Sequence, residues 1–331
     1  MRSVIGVLFG LLFATLLEGR LSAQPAGPRK EFRPGALRTL QELPAGRFRE
    51  QVARLPIQAQ ERARQWLAGI HFTAEDMATM HVDREGGVYF VDPAPEEMVQ
   101  EAGGAEGRHE IYEVSAAAVP VSPFPASLKF HSKPGAPNVI YLNFGGETVT
   151  GTAWNDTEGV STFEALAFST DGDRSTYSDS EQLSIRRIWQ RVAEDYAPFD
   201  VDVTTERPAS FNNRTAHALI TPRTDANGVS NPSSNGGGVA YVGSFGGSNY
   251  GRYSPAWVYS DNLSGNESFI AEAVSHEIGH NMGLTHDGKT GGSDYYGGHG
   301  SGETSWGPVM GTGYNRNVSQ WSKGEYYQAS N

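Results

Sequence analysis

None of the 331 residues is cysteine. That absence excludes a disulfide framework, a thiolate nucleophile, thiolate zinc ligands and a cysteine-based latency switch. Positive charge is also scarce. Lys and Arg number 26 against 38 Asp and Glu, a net charge of −12, which argues against nucleic acid or an anionic membrane as partner. Apolar residues make up only 38%. The one charge-free apolar run at the start, Val4 to Leu17, is too short for a membrane span of about 20 residues. With Arg2 before it and Leu21-Ser22-Ala23 after it, it reads as a secretory signal cleaved before Gln24. Residues 1–23 are therefore expected to leave. The mature protein is expected to be secreted, extracellular or periplasmic in transit, with no membrane contact after cleavage.

What is plentiful is glycine, 40 residues, so long loops are expected. Residues 24 to about 125 are rich in Arg, Glu, Ala and Pro. Gln41 to Ile70 has helical spacing, broken by Pro44 and Pro56. Gly87 to Asp92 reads as a strand after a Gly-Gly turn, and Asp92 to Gly107 as an exposed linker. From Asn138 the pattern becomes strands and helices. Asn138 to Phe144, Phe199 to Thr205, Ala216 to Thr221, Val239 to Phe245 and Ala256 to Ser260 read as strands. Asp179 to Tyr196 reads as a helix capped by Ser178, with Leu183, Ile185, Ile188, Trp189, Val192 and Tyr196 on one face. The alternation around Asp200 and Asp202 places both on an exposed strand face.

Glu267 to Gly283 (ESFIAEAVSHEIGHNMG) carries the chemistry. An apolar helical stripe runs through it, Ser264 or Asn266 can cap it, and Gly283 ends it. His276 and His280 stand four residues apart on one helix face, so both imidazoles can meet one metal ion. Glu277 is placed to act on a water rather than on the metal itself. Leu284-Thr285 returns the chain and brings His286 as a third nitrogen ligand. Three histidines with one position left open is the arrangement of a catalytic zinc site. The His-Glu-x-x-His pattern alone arises by chance in about one or two per cent of such chains. Gly283 and His286 at their offsets reduce that to roughly one in ten thousand.

The run HEIGHNMGLTHD resembles the zinc signature of the metzincin endopeptidases. Asp287 after the third histidine is similar to the reprolysin (adamalysin) branch. The stretches VIYLNF, IWQRVAEDYAPFDVDVTT and WGPVMG resemble bacterial secreted reprolysin-like proteases. The resemblance covers about residues 125 to 331. It implies that Met310, in Gly307-Pro308-Val309-Met310-Gly311, forms the Met-turn beneath the zinc. It also implies that Val239, Ala240, Tyr241 and Val242 belong to the edge strand against which substrate lies antiparallel. A final helix is implied at Gln320 to Ser330. The position two residues after the methionine, a tyrosine in some metzincins, is Thr312 here, with Tyr314 nearby.

The expected fold class is α+β, a metzincin-like catalytic domain (residues 126–331) with a mixed twisted sheet, a long helix and the zinc helix. It follows a signal peptide (1–23) and a propeptide (24–125). The expected activity is hydrolysis of peptide bonds in a protein or peptide substrate, with one Zn2+ held by His276, His280 and His286 and Glu277 as general base. A zinc-containing binding module without catalysis is the alternative, and the presence of Glu277 argues against it. The propeptide is expected to inhibit by a cysteine-free device, such as an acidic or histidine side chain on zinc or a steric block. Asp171, Asp173, Asp179 and Glu181 are candidate Ca2+ ligands, with an acidic loop and helix start as the plainer reading. His299 reads as a loop histidine. Tyr250, Tyr253, Trp257 and Tyr259 read as core and rim packing.

Overall fold

The computed structural model describes residues 30–95, 124–290 and 295–330. The expected signal peptide and most of the expected linker lie outside the described residues. Among those described, no helix is long and apolar enough to cross a membrane.

The N-terminal part begins with β1 (Glu31–Phe32), α1 (Arg47–Ala53) and α2 (Ile57–Leu67), and continues with β2 (Phe72–Thr73), β3 (Met80–Val82) and β4 (Val88–Asp92). Pro56 sits at the N-cap of α2, where its fixed φ and missing N–H cost nothing. The helical run breaks at the expected prolines. Gly86 takes φ +94° in the turn before β4, and a Cβ there would meet the Ala59 carbonyl oxygen at 2.2 Å.

Next come β5 (Asn138–Asn143), β6 (Glu147–Thr150), α3 (Ala153–Glu158), β7 (Thr162–Ala165) and α4 (Asp179–Asp195). Then follow β8 (Val201–Thr204), β9 (Thr215–Thr221), β10 (Gly238–Tyr241), β11 (Ala256–Tyr259) and α5 (Glu267–Asn281). The chain closes with short strands β12 (Gly288–Lys289), β13 (Trp306–Pro308), β14 (Val318–Gln320) and β15 (Ala329–Ser330). The fold is α+β around one mixed seven-stranded sheet, ordered β3-β4-β10-β11-β9-β5-β8. β8, β5, β9 and β11 pair in parallel, and β10 and β4 are antiparallel additions.

α4 starts at a capping box. Ser178 accepts from the Glu181 N–H, and the Glu181 carboxylate accepts from the Ser178 N–H at 2.9 Å. Ile185, Ile188 and Val192 face the core, but Leu183 is exposed. Leu183 falls off the stripe that the sheet covers. Asp202 corrects the alternation argument. It is buried, because β8 is covered on both faces there and its carboxylate accepts from His131 Nδ1 at 2.7 Å and the Lys133 N–H at 2.9 Å.

The main core lies between the sheet and helices α4 and α5, filled by Ile140, Leu142, Ile185, Ile188, Val203, Ile220, Val258, Ile270 and Val274. Tyr241, Trp257 and Tyr259 are fully buried on the other face with Trp154, and Tyr250 packs in the main core, so the aromatic group is packing. His299 takes a hydrogen bond from Tyr296 in its loop. The expected final helix is absent. Gly324 and Gln328 adopt φ +86° and +60°, and Ser322 and Glu325 close a turn on each other, so the chain bends instead of winding.

Candidate active site

α5 begins at Asn266, whose side chain accepts from the Ser268 and Phe269 N–H groups. Ser264, the other candidate cap, instead occupies a turn at φ +54°. From Ile270 to Asn281 every residue is buried. The helix is enclosed by the sheet on one side and residues 305–321 on the other, so its apolar stripe is only part of what it hides. Gly283 leaves the helix at φ +96°, and its N–H and that of Leu284 close onto the His280 and Gly279 carbonyls.

Each histidine is oriented from behind. His276 Nδ1 lies 2.8 Å from the Val309 carbonyl, His280 Nδ1 2.8 Å from the Leu284 carbonyl and His286 Nδ1 3.1 Å from Asp76 Oδ1. A ring N–H donated outward leaves each Nε2 lone pair free to face inward. Ligand atoms of the three rings and of Asp92 lie within 4.8 Å of one another. His276 Nε2 is buried and has no hydrogen-bond partner. A buried orphan of this kind in a three-imidazole cluster fits a zinc ion, which takes nitrogen ligands and leaves no polar atom unsatisfied. Burial pushes His276 down to about 3, so it stays neutral, the form a metal requires. Burial acts the same way on His286, but Asp92 and Asp76 outweigh it and raise that ring to about 9.

Residues 173–287 match the reprolysin-like group of metallo-peptidase family M12B. The chain carries a reprolysin-like metallopeptidase domain. No curated protein matches the chain. The matched segment of the reprolysin-like domain runs from the loop before α4 to Asp287, and so contains all three histidines.

Glu277 lies beside the histidines, packed against β10. A Cβ on Gly238 would meet its Oε1 at 2.2 Å, so only glycine leaves room for it there. Burial, reinforced by the neighbouring Asp92 carboxylate, pushes Glu277 well above the usual carboxylate range. Met310 lies under the helix, where a Cβ on Gly279 would meet its sulfur at 2.5 Å. Its carbonyl accepts from the Asp287 N–H at 2.8 Å, which ties this turn to the third histidine's loop. Thus the structure brings His276, Glu277, His280, His286 and Met310 together.

Val239 to Tyr241 do form a strand, with Val242 just beyond it, but in this chain they are not at an edge. β4 pairs with β10 in antiparallel register, Gly238 opposite Asp92 and Tyr241 opposite Tyr89. Asp92, expected in a linker, is buried because that pairing delivers it into the histidine cluster. Its Oδ2 lies 3.1 Å from His280 Nε2 and 3.6 Å from His276 Nε2, and its Oδ1 lies 2.9 Å from His286 Nε2. Burial works against its ionisation, yet the three imidazoles hold its carboxyl well below the usual range. Phe90, two residues earlier, stacks on His280 with ring centroids 4.4 Å apart.

Sequence reasoning missed Asp92, Asp76 and Tyr295, whose hydroxyl donates to Asp92 Oδ1 at 2.5 Å. No short-range pattern marks them, because 188 residues separate Asp92 from His280. The calcium candidates do not converge. Asp171 and Asp173 accept from their own loop, and Glu181 serves the helix cap and Thr170. Among the described residues the one convergent group of metal-ligating atoms is that of the three histidines and Asp92.

Proposed function

We propose that this protein is a secreted zinc-dependent endopeptidase made as a proform, in which residues 24–125 act as its own inhibitor. His276, His280 and His286 hold the ion. Zinc held there would bring the pKa of a water toward about 7 and polarise a peptide carbonyl. Glu277 takes the proton of the attacking water and hands it to the departing nitrogen. Met310 packs beneath the histidines. Once β4 leaves, Val239 to Val242 offer an unpaired strand, and an extended substrate adds to it through main-chain hydrogen bonds.

The observation that carries this reading is Asp92. A residue of the N-terminal part lies against all three Nε2 atoms, and its own strand holds β10 antiparallel, as a substrate would. Where a substrate would present a carbonyl, this strand presents a carboxylate, which fills the reacting position with a group that cannot be cleaved. Trp66 Nε1 donating to the Val242 carbonyl and Thr285 donating to the His71 carbonyl add to the grip.

The test is peptide-library cleavage, read by mass spectrometry. The secreted, zinc-loaded full chain is assayed before and after cutting at a protease recognition sequence inserted after Gly107. Glu277→Gln and a chelated sample serve as controls. The intact chain should be silent, the cut chain active and both controls silent, and intact Asp92→Ala should gain activity over the intact parent. No cleavage by the cut chain would favour the binding module. Equal cleavage before and after cutting would make the N-terminal part a permanently attached domain.

A further inference from the structure

We propose that Tyr295 is a catalytic residue, whose hydroxyl donates a hydrogen bond to the oxygen that gains negative charge as the scissile peptide is hydrolysed. This inference rests on the peptidase reading of the same site.

When water adds to a peptide carbonyl, its oxygen bonds to the carbonyl carbon and its proton passes to Glu277. The carbonyl π electrons move onto the carbonyl oxygen. That oxygen then re-forms its double bond, the carbon–nitrogen bond breaks, and the nitrogen keeps the electron pair and takes the proton from Glu277. The adduct carries two oxygens on one carbon, as a carboxylate does. Asp92 therefore marks where such a pair fits. Its Oδ2 faces His280 and His276, its Oδ1 faces His286, and Glu277 abuts the same carboxyl group. The Tyr295 hydroxyl is the donor aimed at Oδ1, at 2.5 Å. A hydroxyl already pointed at the place where charge develops needs no reorganisation during the reaction. It keeps its proton throughout.

The ring is placed from outside the N-terminal part, although its hydroxyl meets Asp92 and Thr79, both within it. The Tyr295 ring lies on His286 at 4.2 Å between centroids and 6.3 Å from His276. The next residue is pinned on both sides, the Tyr296 N–H donating to the Asp287 carbonyl at 2.7 Å and its carbonyl accepting from the Thr312 N–H at 3.1 Å. Among these contacts only the one from the hydroxyl to Thr79 Oγ1, at 3.1 Å, involves residues 30–95 besides Asp92. The residues after Met310 do not supply this donor. Thr312 Oγ1 lies beside Gly297, and the Tyr314 ring packs on Phe269 at 5.5 Å between centroids.

The experiment compares the cut, zinc-loaded parent with Tyr295→Phe, which keeps the ring and its packing. Zinc content and denaturation midpoint are measured first. Steady-state cleavage of a library peptide is then set beside calorimetric binding of an N-acetyl phosphinic tripeptide, whose tetrahedral phosphorus presents two oxygens. The expected result is a kcat lower by about 10²- to 10³-fold, with KM and zinc content unchanged and the phosphinic tripeptide bound more weakly by a similar factor. A kcat within about threefold of the parent overturns the inference. So does a loss that tracks zinc content or KM while phosphinate binding stays the same. A parent that binds the phosphinate but cleaves nothing overturns the endopeptidase reading, and the binding comparison still decides the place of Tyr295.

Discussion

Gly238→Ala tests whether β10 and the zinc helix share the reacting position. The added methyl would lie 2.2 Å from Glu277 Oε1, 2.6 Å from its Cδ and 2.7 Å from its Cγ. Three atoms are struck, so rotating the carboxylate end alone does not relieve the clash. The backbone is held as well, because Gly238 stays paired with Val258 on β11 even after β4 has left. Glu277 must therefore swing away from the histidines. Overpacking of this kind costs about 1–3 kcal/mol, and the lost glycine flexibility returns about 0.5–1 kcal/mol. The net destabilisation should be about 0–2.5 kcal/mol, small enough for the protein to fold. Misplacing a proton acceptor costs about 10²- to 10⁴-fold in rate, so activity should fall far more than stability. The assay is kcat of the cut enzyme with zinc content measured in parallel, beside Glu277→Gln and the double variant. Because both changes disable one group, the double variant should be no slower than Glu277→Gln alone. Parental kcat in Gly238→Ala, or a double variant far below Glu277→Gln, would refute the shared position.

Three further outcomes follow from the same geometry. Burial, with the nearby Asp195 charge, raises Glu272 on α5 from 4.5 to about 8. Its neutral form is the one the fold favours, so the stability it contributes is complete below pH 4.5 and is lost as pH rises through 8. At about 1.4 kcal/mol per unit that loss is bounded by about 5 kcal/mol, and Glu272→Gln should flatten urea-denaturation stability between pH 5 and 8.5; parallel curves for parent and variant would contradict this. Gly279→Ala would add about 1 kcal/mol of helix propensity in an open helix, but here its methyl lies 2.5 Å from the Met310 sulfur and 3.2 Å from the Trp321 ring. It should cost about 1–2 kcal/mol and become milder in a Met310→Ala background, as a double-mutant cycle would show. Chelation should destabilise the full chain, by about 2.7 kcal/mol relative to zinc at a hundredfold excess over Kd, read as a lower Tm that zinc restores.

The amino-acid sequence alone determined everything that follows from a single helix. His276, Glu277 and His280 are set by the helical repeat, and Gly283 turns the chain back so that His286 arrives at a fixed short distance along it. The caps likewise placed α4 and α5 within a residue or two, and Pro56 marked the start of α2, because capping and the missing proline N–H act over a few residues. The tertiary structure decided what covers that helix. Gly87 to Asp92 reads as an ordinary strand, and nothing local says that it pairs with Gly238 to Tyr241 or that its last carboxylate enters the site. Asp202 looks exposed by alternation, and only the approach of His131 and Lys133 buries it. The C-terminal segment resembles a helix in position but bends at Gly324. Tyr295 is one of 14 tyrosines until the loop after His286 folds back and aims its hydroxyl at Asp92. A local motif can specify the ligands because short-range geometry holds them. The strand that carries Asp92, the glycine that makes room for Glu277 and the hydroxyl over the histidines come together only through contacts between distant parts of the chain.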